Sequence, residues 1–156
     1  MKPIQKMRAF ILTTLLVSGA LFFSGCGKGE QIVPKSEHEK LFDNLTSVLG
    51  NKQWFLKAIY VNGVLQPLTD AQKKYYKTYT RTQTPFTATF LDDDGNRGEA
   101  YLLSVIQLKE VINNGPLGAS TRDYVLRELT EKTLDIQVTS PPGFPAQIVR
   151  EVYYAN

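Results

Sequence analysis

The chain has 156 residues, 42% of them hydrophobic and 11% aromatic, with 18 Lys and Arg against 15 Asp and Glu. Three of the basic residues, Lys2, Lys6 and Arg8, fall in the first 25 positions, so residues 26–156 carry 15 charges of each sign. That balance excludes a strongly basic nucleic-acid surface and a polybasic membrane patch. The single cysteine, Cys26, and the single histidine, His38, exclude a disulfide framework, cysteine-ligated metal and His-rich metal centres.

In chain order, the basic segment leads into an apolar run from Ala9 to Phe23 and then into Ser24-Gly25-Cys26. A charged start, an apolar middle and small residues at the cleavage point form a secretory signal. Ending on a cysteine, it reads as a bacterial lipoprotein signal. Ser24 and Gly25 let the extended backbone enter the peptidase cleft, and Cys26 becomes the acylated N-terminus. A spanning helix needs about 20 predominantly apolar residues, whereas this run is shorter and contains Thr13, Thr14, Ser18 and Gly19. The expectation is a signal peptide over 1–25 and a lipid anchor at Cys26. Gly27 at the next position favours the outer membrane, facing the periplasm.

Residues 26–35 are polar and glycine-containing, a tether, and 36–156 are the size of one domain. Ser36-Glu37-His38-Glu39 is a capping box that starts a helix, with Leu41, Phe42, Leu45, Val48 and Leu49 on its apolar face and Gly50 as its terminator. His38 reads as a solvated residue of that helix.

From Gln53 the pattern turns to β. Trp54–Val61 ends at Asn62-Gly63, a strong hairpin signal. The returning strand Val64–Gln66 is cut short by Pro67, and 70–77 is ambiguous. Tyr76–Arg81 and Phe86–Leu91 alternate, with Phe86, Ala88 and Phe90 sharing one face. A loop at Asp92–Asn96 precedes a long strand from Gly98 to about Gln107. Asn113–Ser120 reads as loop. Tyr124–Leu129 and Thr133–Thr139 form a hairpin, Pro141-Pro142-Gly143 breaks the chain, and Gln147–Tyr154 is the last strand.

About eight short strands behind one helix, with no alternating helices, predict an all-β fold: an antiparallel eight-stranded barrel, or alternatively a two-sheet sandwich. The helix, Gly50, the Trp54 strand, Asn62-Gly63, Phe86-Thr87-Ala88-Thr89-Phe90 with Asp94-Gly95, Tyr124–Thr130 running into Leu134-Asp135-Ile136, and the tyrosine-rich final strand together resemble the lipocalin-like lipoproteins common in Bacteroidetes. The resemblance covers roughly residues 36–154. It departs from the family at Gly50-Asn51-Lys52-Gln53-Trp54, where lipocalins proper have Gly-x-Trp. It implies a small barrel that binds an apolar or amphipathic molecule or has lost that function, with Trp54 in the core covered by an Arg from near the end of the barrel. Arg150 is the candidate for that cover.

The remaining chemical leads are weak. Asp92, Asp94 and Asn96 alternate as in a calcium loop, but Gly95 is misplaced and Leu103 stands at the twelfth position, so a hairpin turn explains the same residues. Lys73, Lys74, Lys77 and Arg81 interleave with Tyr75, Tyr76 and Tyr79, read here as a solvated strand face with tyrosines packing inward rather than a base-stacking surface. Glu99, Glu110, Asp123 and Glu128 are not brought together by any pattern. The expectation is therefore a non-enzyme without catalytic residues, metal or cofactor. Its partners would be the membrane, through the lipid, and a small apolar ligand held at the open end with Phe86, Ala88 and Phe90 in the lining. A protein-interaction subunit of an envelope assembly is the alternative.

Overall fold

The computed structural model describes residues 34–139 and 146–156. The signal segment, Cys26, most of the tether and the Pro141-Pro142-Gly143 break lie outside the described residues.

Helix α1 (Glu37–Thr46) begins with the capping box. The Ser36 hydroxyl accepts from the Glu39 amide at 3.2 Å, and the Ser36 amide donates to the Glu39 carboxylate at 2.7 Å. The helix stops at Ser47, in the left-handed region at φ 67°, a turn earlier than Gly50 suggested. Phe42, Leu45 and Thr46 are buried, whereas Val48 and Leu49 are 68% and 96% exposed. Continuing the helix would have gained no further burial.

Nine strands follow: β1 (Asn51–Val61), β2 (Val64–Gln66), β3 (Tyr76–Arg81), β4 (Thr87–Asp92), β5 (Arg97–Ser104), β6 (Gln107–Asn113), β7 (Ala119–Leu129), β8 (Thr133–Thr139) and β9 (Ile148–Tyr154). From β3 to β9 each strand pairs with the next. β3 and β9 also both pair with β1, and β9 returns from Phe55↔Tyr154 to Val61↔Val149. The result is a closed antiparallel barrel of eight strands, not a sandwich. The extra strand β2 pairs only with the outer end of β1, from Ile59↔Gln66 to Val61↔Val64.

The expected strand 98–107 is two strands. Leu102↔Leu108 and Ser104↔Gln107 define a hairpin whose turn is Val105-Ile106, and these apolar letters conceal it because turns favour Gly, Pro, Asn and Asp. Likewise β7 begins at Ala119, pairing with Asn113, so the two ends of the expected 113–120 loop are ladder while its middle, with a 3-10 turn at Gly115–Leu117, is loop as expected. The barrel still has eight strands because β2, expected within it, lies outside, and β6, not recognised, lies inside.

One irregularity decides which side chains enter the barrel. The β1–β9 register shifts between Leu56 and Ala58, a bulge that reverses the in–out alternation. Trp54 and Leu56 point inward before it; Ile59 packs inward after it, leaving Tyr60 outside. At Gly98 the backbone comes so close to β6 that a Cβ would lie 1.9 Å from the Val111 carbonyl oxygen, and Phe90 pairs across from this glycine.

Candidate functional site

One end of the barrel is closed by α1. Trp54 is fully buried there, and its indole Nε1 donates to the Leu45 carbonyl at 2.9 Å. The cation over this ring is Lys52, at 4.6 Å. Arg150 does not cover it. Paired with Tyr60 on the outer wall, Arg150 lies 4.9 Å over that ring and binds Asp135 through Nε and Nη2. The Lys57 bulge accounts for this, since it puts Tyr60 and its partner outside.

His38 is not a solvated helix residue: its Nε2 is 2.8 Å from the Leu102 carbonyl and its ring stacks on Phe86 at 3.9 Å. Phe86 itself precedes β4 in a left-handed conformation, φ 55°, and sets its edge against Phe42. Ala88 and Phe90 point into the packed core, Phe90 beside Tyr79. The expected lining trio therefore lies at the closed end. A groove of about 340 Å³ does run between α1 and the 82–86 loop. Its charges are already matched: Asp43 binds Lys35 and Arg81, and Glu39 holds the Ser36 amide.

Across the middle of the barrel runs a buried polar network. Strand alternation places Lys77 in phase with Tyr79, and Glu110 in phase with Leu108 and Ile112. The Lys77 ammonium donates to both Glu110 oxygens at 3.1 and 3.2 Å and to the Tyr124 hydroxyl at 3.2 Å. Tyr79 and Tyr124 donate to Glu110 at 2.6 and 3.0 Å. Burial, the largest influence on Lys77, opposes its charge, but the Glu110 carboxylate together with Tyr124, Glu151 and Tyr75 outweighs it and raises the ammonium's pKa. Burial, reinforced by Glu110, pushes the Tyr79 hydroxyl well up; burial, partly offset by Lys77, pushes Tyr124 up to about 12. Lys77 thus departs from the solvated face expected for it.

Above this network the opposite end of the barrel opens into a cleft of about 300 Å³. Its walls include apolar Leu56, Ile59 and Val138 and the rings of Tyr75, Tyr124 and Tyr153. Arg122, Glu151 and Asp94 supply the charges. Asp92, at the cleft's edge, is a structural residue: its carboxylate accepts from the Asn96 amide and side chain at 2.8 and 2.9 Å and from the Tyr75 hydroxyl at 3.0 Å, which pins the β4–β5 turn.

No family model, curated protein or solved structure matches this chain. Sequence reasoning passed over Arg122 and Glu151, and named Lys77, Tyr79 and Glu110 without bringing them together with Tyr124. The available signal was phase, because Arg122 alternates with Tyr124 and Leu126, and Glu151 with Tyr153.

Proposed function

We propose that the protein is a lipid-anchored envelope lipoprotein whose barrel holds a small amphipathic molecule at its open end. The observation that carries this reading is the mouth cleft. Apolar side chains and tyrosine rings meet a few charged groups there in a concavity at the lower end of the size range of small-ligand sites. The other end is sealed by α1, and the layers between are occupied by Trp54, Tyr79 and the Lys77–Glu110 pair. A ligand would sit in the mouth rather than thread the barrel. Anchoring is supported by Ser24-Gly25-Cys26 behind the apolar run, and the motifs between residues 36 and 154 support the lipocalin-like lipoprotein family as its kin.

Two measurements test the reading. Intact mass of the membrane form should show loss of residues 1–25 and an acyl adduct, and Cys26→Ala should yield no processed, acylated membrane form. Melting of the full chain against medium-chain alcohols, carboxylates and phosphatidylethanolamines should show stabilisation that grows with ligand concentration. Absence of stabilisation by all three would turn the assignment to an interaction subunit, for which the exposed Val64 and Leu65 on β2, paired on one side only, would be the first surface to test.

A further inference from the structure

Inside the barrel, each deep charge has its partner: Lys77 has Glu110, and Asp92 has Asn96 and Tyr75. At the mouth this stops. Arg122 on β7 and Glu151 on β9 both line the cleft, and neither is in an ion pair among the described residues. The Arg122 guanidinium has the Tyr124 hydroxyl beside it and Glu110 across the strand pair, and Glu151 accepts from the Tyr153 hydroxyl at 2.7 Å and acts on the buried Lys77. Strand β8 lies between β7 and β9, and its registers set Val125 level with Arg150, so the backbones of Arg122 and Glu151 are two strands and about four residues apart, about 16 Å, and their side chains approach the same cleft from different levels. Glu110 and Lys77 are committed to each other, so Arg122 and Glu151, two charges of opposite sign facing one cleft, each keep hydrogen-bonding capacity for a ligand.

We infer that the mouth binds a zwitterion, its oxyanion on Arg122 and its ammonium on Glu151. This deepens the amphipathic-ligand reading and rests on it. Leu56, Ile59 and Val138 would take the apolar part, and Tyr75, Tyr124 and Tyr153 present ring faces to the ammonium. A plain anion satisfies Arg122 but adds charge near Glu151 and the exposed rim residue Asp94; a plain cation is repelled by Arg122. Planar, bidentate recognition of a carboxylate or phosphate is what a guanidinium does best. The zwitterion has two natural sources, a free aliphatic amino acid and a phosphoethanolamine headgroup.

Titration calorimetry on the full chain in nonionic micelles separates them. The probes are leucine, glycerophosphoethanolamine, glycerol phosphate (anion only) and butylamine (cation only). One zwitterion should bind at least about ten-fold more tightly than either singly charged probe, and which one identifies the source. Arg122→Gln and Glu151→Gln should each weaken it about ten-fold, and Asp94→Asn less than three-fold. Equal affinity for singly charged and zwitterionic probes overturns the inference, as does unchanged affinity in either variant or no binding of any probe. The comparison on the unaltered chain decides even if a variant folds poorly. Decanol binding without zwitterion preference would leave the amphipathic-ligand reading standing and remove this one.

Discussion

The Lys77 ammonium lies 3.1 and 3.2 Å from the two carboxylate oxygens of Glu110, with side-chain exposures of 1% and 0%. Each ion gave up its hydration on folding, so the pair holds together mainly because each half would be worse alone. Breaking such a pair from one side typically costs about 3–5 kcal/mol, whereas replacing both halves with apolar groups is often near neutral. Lys77→Met and Glu110→Leu should each lower stability by about that much, and the double variant by clearly less than their sum. Denaturant unfolding in a double-mutant cycle reads the coupling. Additive costs would show that the two charges do not support each other.

Alkaline unfolding should be steep. The folded pKa of Lys77 and of Tyr75, Tyr79, Tyr124 and Tyr153 are all raised, while in the unfolded chain Lys and Tyr titrate near pH 10. Below that pH both states hold these protons and stability is level. Above it the unfolded state releases protons the native state keeps, so stability falls as pH rises, by up to about 1.4 kcal/mol per pH unit for each group. Stability measured from pH 8 to 11.5 should break downward near pH 10, with these tyrosines ionising only as the barrel opens. Ordinary titration of every tyrosine in the native state would contradict the buried network.

Trp54 is the only tryptophan, so its fluorescence reports the closed end alone. Emission should be that of a dry indole. Trp54→Ala should cost about 3–5 kcal/mol, and Arg150→Ala should leave the spectrum unchanged because Arg150 packs on Tyr60. A spectral shift in the Arg150 variant would place that guanidinium on the indole after all.

Local signals were legible in the sequence and phase changes were not. Asn62-Gly63 needs two left-handed residues, and the structure has them at φ 50° and 82°. The Ser36 capping box needs only neighbours three residues apart. By contrast, Val105-Ile106 turns the chain with apolar residues, 41% and 58% exposed, whose letters read as strand. Missing that turn hid β6, and with it the inward phase of Glu110. The Lys57 bulge depends on pairing across the closed seam between β1 and β9, which no local pattern reports, so nothing local corrected the expectation, drawn from the lipocalin-like resemblance, that Arg150 covers Trp54. Arg122 and Glu151 fell to the same cause: their meaning depends on both strands ending at one mouth.

Where a ligand sits can be read directly by backbone amide shifts of the full chain in nonionic micelles, titrated with dihexanoyl phosphatidylethanolamine, which offers both the zwitterionic head and a short apolar part. Occupancy of the open end predicts saturable shifts at Leu56–Ile59, Arg122–Tyr124, Val138 and Glu151–Tyr153, with α1 and the 82–86 loop unmoved. Shifts confined to α1 and Phe86, or to the exposed edge of β2, would contradict it, as would a spectrum that does not respond.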